Sequence, residues 1–269
     1  MGLRLAKTTC AQGFAGFAHA VYAGCVRLDK YLVERGHYPT RARAQSAIRA
    51  GCVRVDGRTA TKASQMVAEA AAVEAEPEHP WVGRGGLKLD AALARWDVPV
   101  AGRRCLDVGA STGGFTDVLL SRGAAEVVAV DVGRQQLHPR LRADARVRSL
   151  EGVDARDLRE REVGRFGLMV CDASFIPLRT VLAVPLGLAE PGADAVVLVK
   201  PQFEVGREGV GRGGVVRDAR AREAALHRAA GWFAEMGWDV CGEMESPVSG
   251  AGGNREWLLW ARKPQESPA

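Results

Sequence analysis

The chain predicts an α/β protein, a mainly parallel sheet covered on both faces, with a smaller α+β unit ahead of it. Three observations carry this. Apolar runs at Glu126 to Val130, Val147 to Leu150, Phe166 to Cys171 and Ala195 to Val199 alternate with helix-like segments, and runs of this kind belong to strands buried on both faces. The stretch Asp107-Val108-Gly109-Ala110-Ser111-Thr112-Gly113-Gly114-Phe115-Thr116 follows a short apolar start at Cys105-Leu106 and precedes a helix-like run ending near Arg122, the strand, turn and helix order of a parallel unit. Between Arg27 and Arg58, two short helical patterns and a hairpin signal are studded with arginine.

In the small unit, Leu28, Tyr31 and Leu32 fall on one helical face and the run stops at Gly36. A second helix is expected after Pro39-Thr40. Thr40 serves as its N-cap, Ala44, Ala47 and Ile48 face inward, Arg41, Arg43 and Arg49 face out, and Gly51 closes it. Cys52-Val53-Arg54-Val55 then alternates before Asp56-Gly57, a strong hairpin-turn pair. From Arg27 to Arg58, eight basic residues stand against Asp29, Glu34 and Asp56, an excess of +5 equal to the formal charge of the whole 269-residue chain. The basic character is therefore local, which favours a docking patch for phosphates over general solubility. A solvated basic face with no partner is the alternative.

The remainder of the chain sets the frame. A content of 47% hydrophobic and 26% charged residues suffices for one large core and a small satellite domain. The six cysteines are dispersed without the short spacing of a zinc or redox motif; Cys105 and Cys171 sit in strand patterns as small core residues, and a reducing cytoplasm fits. No apolar run approaches the length of a membrane span, roughly 18 residues. Residues 1–25 combine Arg4 and Lys7 with a mildly apolar stretch, the outline of a secretory signal, but His19 and the many alanines and glycines weaken it. They are read as a non-structural extension, with Val26 a candidate true start. Residues 26–77 form the small domain, 78–86 a linker and 87–263 the large domain, with 264–269 a tail. Ala68 to Pro80, rich in alanine and glutamate, reads as the end of one domain and a connector.

Chemistry is indicated by four polar residues far apart in the chain. Asp172 and Lys200 end apolar strands, Glu256 begins one, and Lys88 lies on the helix Leu87 to Trp96. In an open α/β sheet the carboxyl ends of strands form the ligand crevice, so such residues can meet in one pocket. Two lysines and two carboxylates there suit proton removal from a weakly acidic hydroxyl. Beside them, the glycines of the Asp107 to Thr116 turn let backbone lie against a ligand. Asp131, at the end of the next strand, can accept hydrogen bonds from ribose hydroxyls, which points to a nucleoside cofactor. Asp154 is the candidate acid for an adenine amino group, with a surface loop as the competing reading. For Lys200 and Asp172 the competing reading is a structural ion pair. The glycine-rich segment between Val205 and Arg217 reads either as a loop closing over substrate or as an ordinary connector.

Arg27-Leu28-Asp29-Lys30-Tyr31-Leu32, Arg41 to Gly51 and Val53-Arg54-Val55-Asp56-Gly57 resemble the S4-like RNA-binding domain. The resemblance implies that Arg27, Lys30, Arg41, Arg43, Arg49 and Arg54 contact structured RNA, mostly through phosphate. From about residue 26 to 262 the chain resembles the TlyA-type ribosomal RNA 2′-O-methyltransferases, long labelled hemolysins, and more distantly the FtsJ-type RNA methyltransferases. Trp81-Val82-Gly83-Arg84-Gly85-Gly86-Leu87-Lys88-Leu89, the Asp107 to Thr116 turn and Cys171-Asp172-Ala173-Ser174-Phe175 carry it, together with Val199-Lys200-Pro201-Gln202-Phe203-Glu204, Gly213 to Asp218, and Ser246-Pro247 through Gly253-Asn254-Arg255-Glu256-Trp257.

This likeness implies the Rossmann-like sheet of class I SAM-dependent methyltransferases. It also implies S-adenosyl-L-methionine as cofactor, held by Asp107, Gly109, Ser111, Gly113, Asp131 and Asp154, and ribosomal RNA or ribosomal subunits as partner, with no metal. Lys88, Asp172, Lys200 and Glu256 correspond to the family's catalytic tetrad. Lys200 would take the proton of a ribose 2′-hydroxyl, on cytidines of 16S or 23S rRNA, or stabilise its alkoxide. Asp172 would orient Lys200, while Lys88 and Glu256 would complete the frame. Two other classes stay in view. A pore-forming hemolysin would need a membrane-active segment, offered only by residues 1–25, and an RNA-binding module with an inactive enzyme domain would bind tightly without transfer.

Overall fold

Residues 24–77 and 79–265 are described by the computed structural model, and they divide into two compact units, the first ending at Pro80 and the second beginning at Trp81. The first unit starts with β1 (Cys25–Arg27), α1 (Leu28–Glu34) and α2 (Arg41–Arg49). The Thr40 hydroxyl accepts from Arg43 N at 3.3 Å, the N-cap bond that its position predicts. Leu28, Leu32, Ala44, Ala47 and Ile48 close a core with Val53 and Val55 of β2 (Val53–Val55). A tight turn at Asp56 (φ 49°) and Gly57 (φ 75°) leads into β3 (Arg58–Thr59), the left-handed pair that a two-residue hairpin requires.

Two sequence expectations change in this unit. Cys25, placed in the extension, opens β1 and pairs with Ala68 of β4 (Met66–Ala68), while residues 1–23 lie outside the described residues. Within the expected connector, β5 (Val73–Ala75) pairs antiparallel with β2. A three-residue strand rich in alanine and glutamate has no alternation strong enough to announce itself. Its partner strand supplies the register.

The second unit is built on β6 (Arg104–Val108), β7 (Glu126–Asp131), β8 (Val147–Glu151), β9 (Phe166–Cys171), β10 (Ala189–Val199), β11 (Asp239–Glu245) and β12 (Trp257–Arg262). Among the described residues these form one sheet in the order β11-β12-β10-β9-β6-β7-β8. β12 runs antiparallel to both of its neighbours, and the ladders from β10 to β8 are parallel. Because β7 and β9 flank β6 on opposite sides, the winding reverses between β6 and β9, and the carboxyl ends of those strands open a crevice.

Alternation along buried strands feeds two cores. Ala195, Val197 and Val199 of β10 pack on one face with Leu226 and Phe233 of the helix Ala219–Glu235. Val196 and Leu198 pack on the other, with Leu89 and Leu93 of α3 (Gly86–Trp96) and Phe115 and Leu119 of α4 (Gly114–Ser121). Each Val or Leu fully buried this way contributes about 1.5–3 kcal/mol, so the central strands are the least movable part of the unit. Cys105 and Cys171 are both fully buried, as expected of small core residues, and burial pushes each thiol up to about 12.

At the middle of β10, the buried Asp194 carboxylate accepts from Arg103 Nη1 at 2.7 Å, Trp260 Nε1 at 2.8 Å and Arg262 Nε at 2.9 Å, tying β10 to β12 and to the segment before β6. Asp194→Ala is expected to lower the stability by roughly 2–3 kcal/mol, less than for a fully buried pair because the arginines rehydrate. Thermal melting should show a fall of about 5–10 °C. Below that melting point the carboxyl end of the strand should keep its geometry, since it lies about 20 Å away at the rise of an extended chain.

Candidate active site

β10 ends at Val199, so Lys200 leaves the sheet at its carboxyl edge, and β9 ends at Cys171, one residue before Asp172. Lys200 Nζ stands 2.7 Å from Asp172 Oδ1, an ion pair by distance although its approach is off the line of a hydrogen bond. Nζ also donates to the Asp172 carbonyl at 3.0 Å and to Ser174 Oγ at 2.8 Å. Glu256 reaches the same edge from the opposite direction. In the antiparallel register Trp257 pairs with Val199, which sets the preceding residue, Glu256, beside Lys200 along the edge.

Lys88 comes from the first turns of α3 and donates to Glu256 Oε2 at 2.6 Å, with both residues buried. Gln202 Nε2 donates to Glu256 Oε1 at 3.2 Å. The four residues singled out from the sequence line one cleft of about 390 Å³ together with Arg84, Gln202 and Phe203. Asn254, buried next to Glu256, accepts from Val216 N at 3.1 Å and donates to the Gly214 carbonyl at 2.9 Å, fastening the glycine-rich segment to the edge of that cleft.

A second cleft, about 520 Å³, opens over β6 and β7 and shares Asp172, Ser174 and Phe175 with the first. Gly109 (φ 79°) lines it, and a Cβ at this position would stand 2.8 Å from the Ala173 Cα, so the turn closes only with glycine. Ser111 and Asp131 line it too, held together because the Asp131 carboxylate accepts from Ser111 N at 2.8 Å and Gly133 N at 2.7 Å. Val130, Val153, Ile176 and Val181 make apolar walls, and Asp154 adds a carboxylate whose partner is Arg156 at 2.6 Å. Apolar walls with two carboxylates at the rim, in a volume within the usual range for small-molecule sites, fit a nucleoside.

Two expected cofactor contacts are corrected. Gly113 (φ 94°) belongs to the turn but faces Leu141 and Leu137, where a Cβ would collide at 2.3 and 2.8 Å; it packs the turn onto its neighbours instead of lining the cleft. Asp107 has no exposed surface. Its Oδ2 accepts from the Thr116 hydroxyl at 2.7 Å and its Oδ1 has no hydrogen-bond partner, so it supports the turn from beneath.

In the basic unit, Arg27, Lys30, Arg41, Arg49 and Arg54 are exposed, as a contact face needs. Arg43 is the exception, half-buried with Nη1 at 3.2 Å from His79 Nε2. Its α2 position lies nearer the core side than the arginine pattern alone conveyed.

Sequence reasoning missed Ser174, Gln202 and Asn254 as parts of the site. Ser174 and Gln202 stand two residues beyond Asp172 and Lys200, so strand-end position was the available signal. Phe175 is 89% exposed at φ 67° and meets the Phe203 ring at 5.1 Å between centroids. Asp117, also missed, accepts from Val82 N at 2.9 Å and Arg140 Nη2 at 2.7 Å, which pins the segment preceding α3. Among the described residues no helix is long and apolar enough to cross a membrane, and no group of three or more His, Cys, Asp or Glu could hold a metal ion.

Comparison with known proteins agrees with this architecture. The model of the FtsJ-like methyltransferase family matches residues 81–263, and that of the S4 domain matches residues 26–73. The chain is 49% identical over 239 residues to the 16S/23S rRNA (cytidine-2′-O)-methyltransferase TlyA of Mycobacterium tuberculosis, covering 88% of this chain and 89% of that one. It is 37% identical to Hemolysin A of Brachyspira hyodysenteriae, over 87% of this chain and 98% of that protein. A solved structure of a hemolysin-labelled protein from Streptococcus thermophilus is 36% identical, with a TM-score of 0.71, and covers 91% of this chain and 90% of its own.

The buried Asp107 carries a pH signature. Burial, opposed by the Thr116 hydrogen bond and reinforced by the Asp172 charge, pushes its carboxyl up to about 7 from an ordinary 3.8. Between those values the unfolded chain releases the proton while the folded chain keeps it. The stabilising contribution is present below the unfolded value and is lost as pH rises through about 7. Melting curves across that window should show a loss approaching about 1.4 kcal/mol per pH unit, which Asp107→Asn should flatten.

Proposed function

The chain belongs to the TlyA-type family of FtsJ-like methyltransferases with an N-terminal S4 domain, and on that premise we propose that it transfers a methyl group to ribose 2′-hydroxyls of ribosomal RNA, with cytidines of 16S or 23S rRNA as the targets. The observation that carries the reading is the meeting of two lysine–carboxylate pairs, Lys200 with Asp172 and Lys88 with Glu256, in a cleft that shares its wall with a nucleoside-sized one. S-adenosylmethionine, when bound, supplies an electrophilic methyl group. Gly109 and Ser111 would hold it along the turn, Asp131 at the ribose and Asp154 at the adenine edge.

The work at the acceptor oxygen falls to this chain's own side chains. Lys200 Nζ donates to the Asp172 carbonyl and to Ser174 Oγ, and Asp172 Oδ1 stands against it as an ion-pair contact, so the space around Nζ is already filled. A substrate hydroxyl reaching Nζ must therefore displace one of them. Ser174 is the one to yield, because its hydroxyl is neutral and free to rotate, whereas the Asp172 partners are an ionised carboxylate and a fixed carbonyl. With the hydroxyl in that place, the Lys200 ammonium balances the developing alkoxide, or, having first given up a proton to solvent, the neutral amine takes the hydroxyl's proton, and Asp172 keeps the group aimed. Lys88 and Glu256 neutralise each other and hold the far wall, so the nucleotide enters a preorganised polar frame. Phe175 offers an exposed face at the mouth against which a base can stack.

We assign RNA docking to the basic unit of residues 26–77, methyl transfer to 87–263 and the connection to 78–86, acting on ribosomal RNA or ribosomal subunits in the cytoplasm. Lys200→Ala should lower methyl transfer to deproteinised ribosomal RNA by about 10²–10⁴-fold. Binding of S-adenosylmethionine, measured by calorimetry, should be unchanged. Retained transfer in that variant would sink the role of Lys200, while mapping of 2′-O-methyl marks in ribosomes with and without the gene identifies the substrate.

A further inference from the structure

Asp29 is fully buried, yet it lies under the exposed basic face of the first unit. It follows β1 at the start of α1, and its backbone N–H donates to the Ala63 carbonyl at 3.1 Å. Four donors converge on its carboxylate. Arg27 gives Nε to Oδ1 and Nη2 to Oδ2, both at 3.1 Å, Arg41 gives Nη2 to Oδ2 at 2.8 Å, and Gln45 gives Nε2 to Oδ2 at 2.7 Å. Arg27 stands immediately before α1 and Arg41 begins α2, so one carboxylate joins the starts of two helices.

A buried carboxylate with these partners already has a folding role. The geometry of the arginines goes further. Their side chains remain 47% and 55% exposed despite the pairing. A guanidinium has five N–H bonds in a planar fork, and each arginine spends only its inner edge on Asp29, with no other hydrogen-bond partner for either guanidinium among the described residues. The two-point grip on Arg27 sets its guanidinium plane and the single bond to Arg41 restrains that side chain, leaving N–H bonds of both arginines over for another partner. Unpaired, an arginine on a surface samples many rotamers and must give up that freedom on binding. The Arg27 hydrogen bonds hold the Asp29 carboxyl well below the usual carboxylate range, against the opposing effect of burial, so this anchor is ionised at neutral pH.

We infer that Asp29 is a positioning residue for RNA: it orients the Arg27 and Arg41 guanidiniums as a preformed pair for two backbone phosphates. The inference rests on the assignment of RNA docking to this basic unit. Its electrostatic sign makes it separable from that assignment. Arg27, Arg41 and Asp29 together carry +1, and replacing Asp29 by asparagine raises this to +2. Attraction to a polyanion alone would then strengthen binding and steepen its salt dependence. Loss of orientation does the reverse.

The test uses the full chain and deproteinised 16S and 23S ribosomal RNA, with affinity measured by filter binding at several salt concentrations and each variant's fold checked by thermal melting. The double variant Arg27→Ala/Arg41→Ala should bind weakly, with a shallower dependence of log K on log salt; unchanged binding there would remove the RNA-docking assignment itself. Asp29→Asn, folded at the assay temperature, should bind about tenfold more weakly with a slope reduced by about one, the loss of roughly one phosphate contact. Equal or tighter binding by Asp29→Asn, alongside weakened binding by the double arginine variant, would overturn the positioning role and leave the docking surface standing. Should Asp29→Asn fail to fold, Gln45→Ala decides: it removes one donor to the carboxylate and should weaken binding two- to threefold. Affinity and slope equal to those of the wild type in that variant would overturn the inference.

Discussion

Lys200 is at the cleft because β10 is a strand buried on both faces, and the site depends on that constraint. A lysine on a helix surface can move over several ångströms with its rotamers. One that follows the last paired residue of a central strand starts from a backbone fixed by ladders on either side, with Val199 paired to Trp257 across to β12 and Val197 paired to Cys171 across to β9. The same two ladders deliver the partners. β9 ends one residue before Asp172, and β12 begins one residue after Glu256. The sheet therefore fixes the chemistry by register, and the loops that follow have only to close around it.

The two lysine–carboxylate pairs differ in what surrounds them. Lys88 and Glu256 are both almost wholly buried, and Glu256 has a second partner in Gln202. Such a pair stabilises little over an apolar alternative, but it costs several kcal/mol to break one side of it, so it acts as a rigid wall. Asp172 is only half-buried and touches both clefts, and the Lys200 amine beside it leans on a rotatable serine hydroxyl. On the proposed mechanism one pair stays still and the other exchanges a partner for substrate. Asp29 in the small unit differs from both, a buried carboxylate under cations that retain an exposed edge.

How far the molecule is legible in its sequence varies with the signal that each element carries. Phe166–Cys171 was readable to the residue because an apolar run ending in a charge marks both the strand and its tip. α2 was readable because Thr40, three apolar positions and Gly51 mark its start, face and end. β5 and β11 were not, the first because a three-residue alternation is too short to stand out and the second because an edge strand exposed along most of its length mixes charge and apolar residues without a clean period. Among site residues, Asp172, Lys200 and Glu256 stood out as charges at the borders of apolar runs, while Lys88, on a helix, was singled out with them through the family resemblance. Ser174, Gln202 and Asn254 are neutral residues in loops, and nothing local distinguishes them from ordinary turn residues.

By itself, the sequence determined the central strands and the capped helices, their boundaries near strong turn residues, the local basic excess and the charges at the strand ends, because periodicity, caps and charge act over a few neighbours. Tertiary structure alone decided that β12 runs antiparallel against β10 and so turns Glu256 toward Lys200, that Asp107 and Gly113 face the interior instead of the cleft, and that Arg43 bends toward His79 while Arg27 and Arg41 share one carboxylate. Each of these depends on which segments pair or pack across long separations in the chain. A residue's type and its neighbours carry no record of the strand or helix that comes to lie beside it.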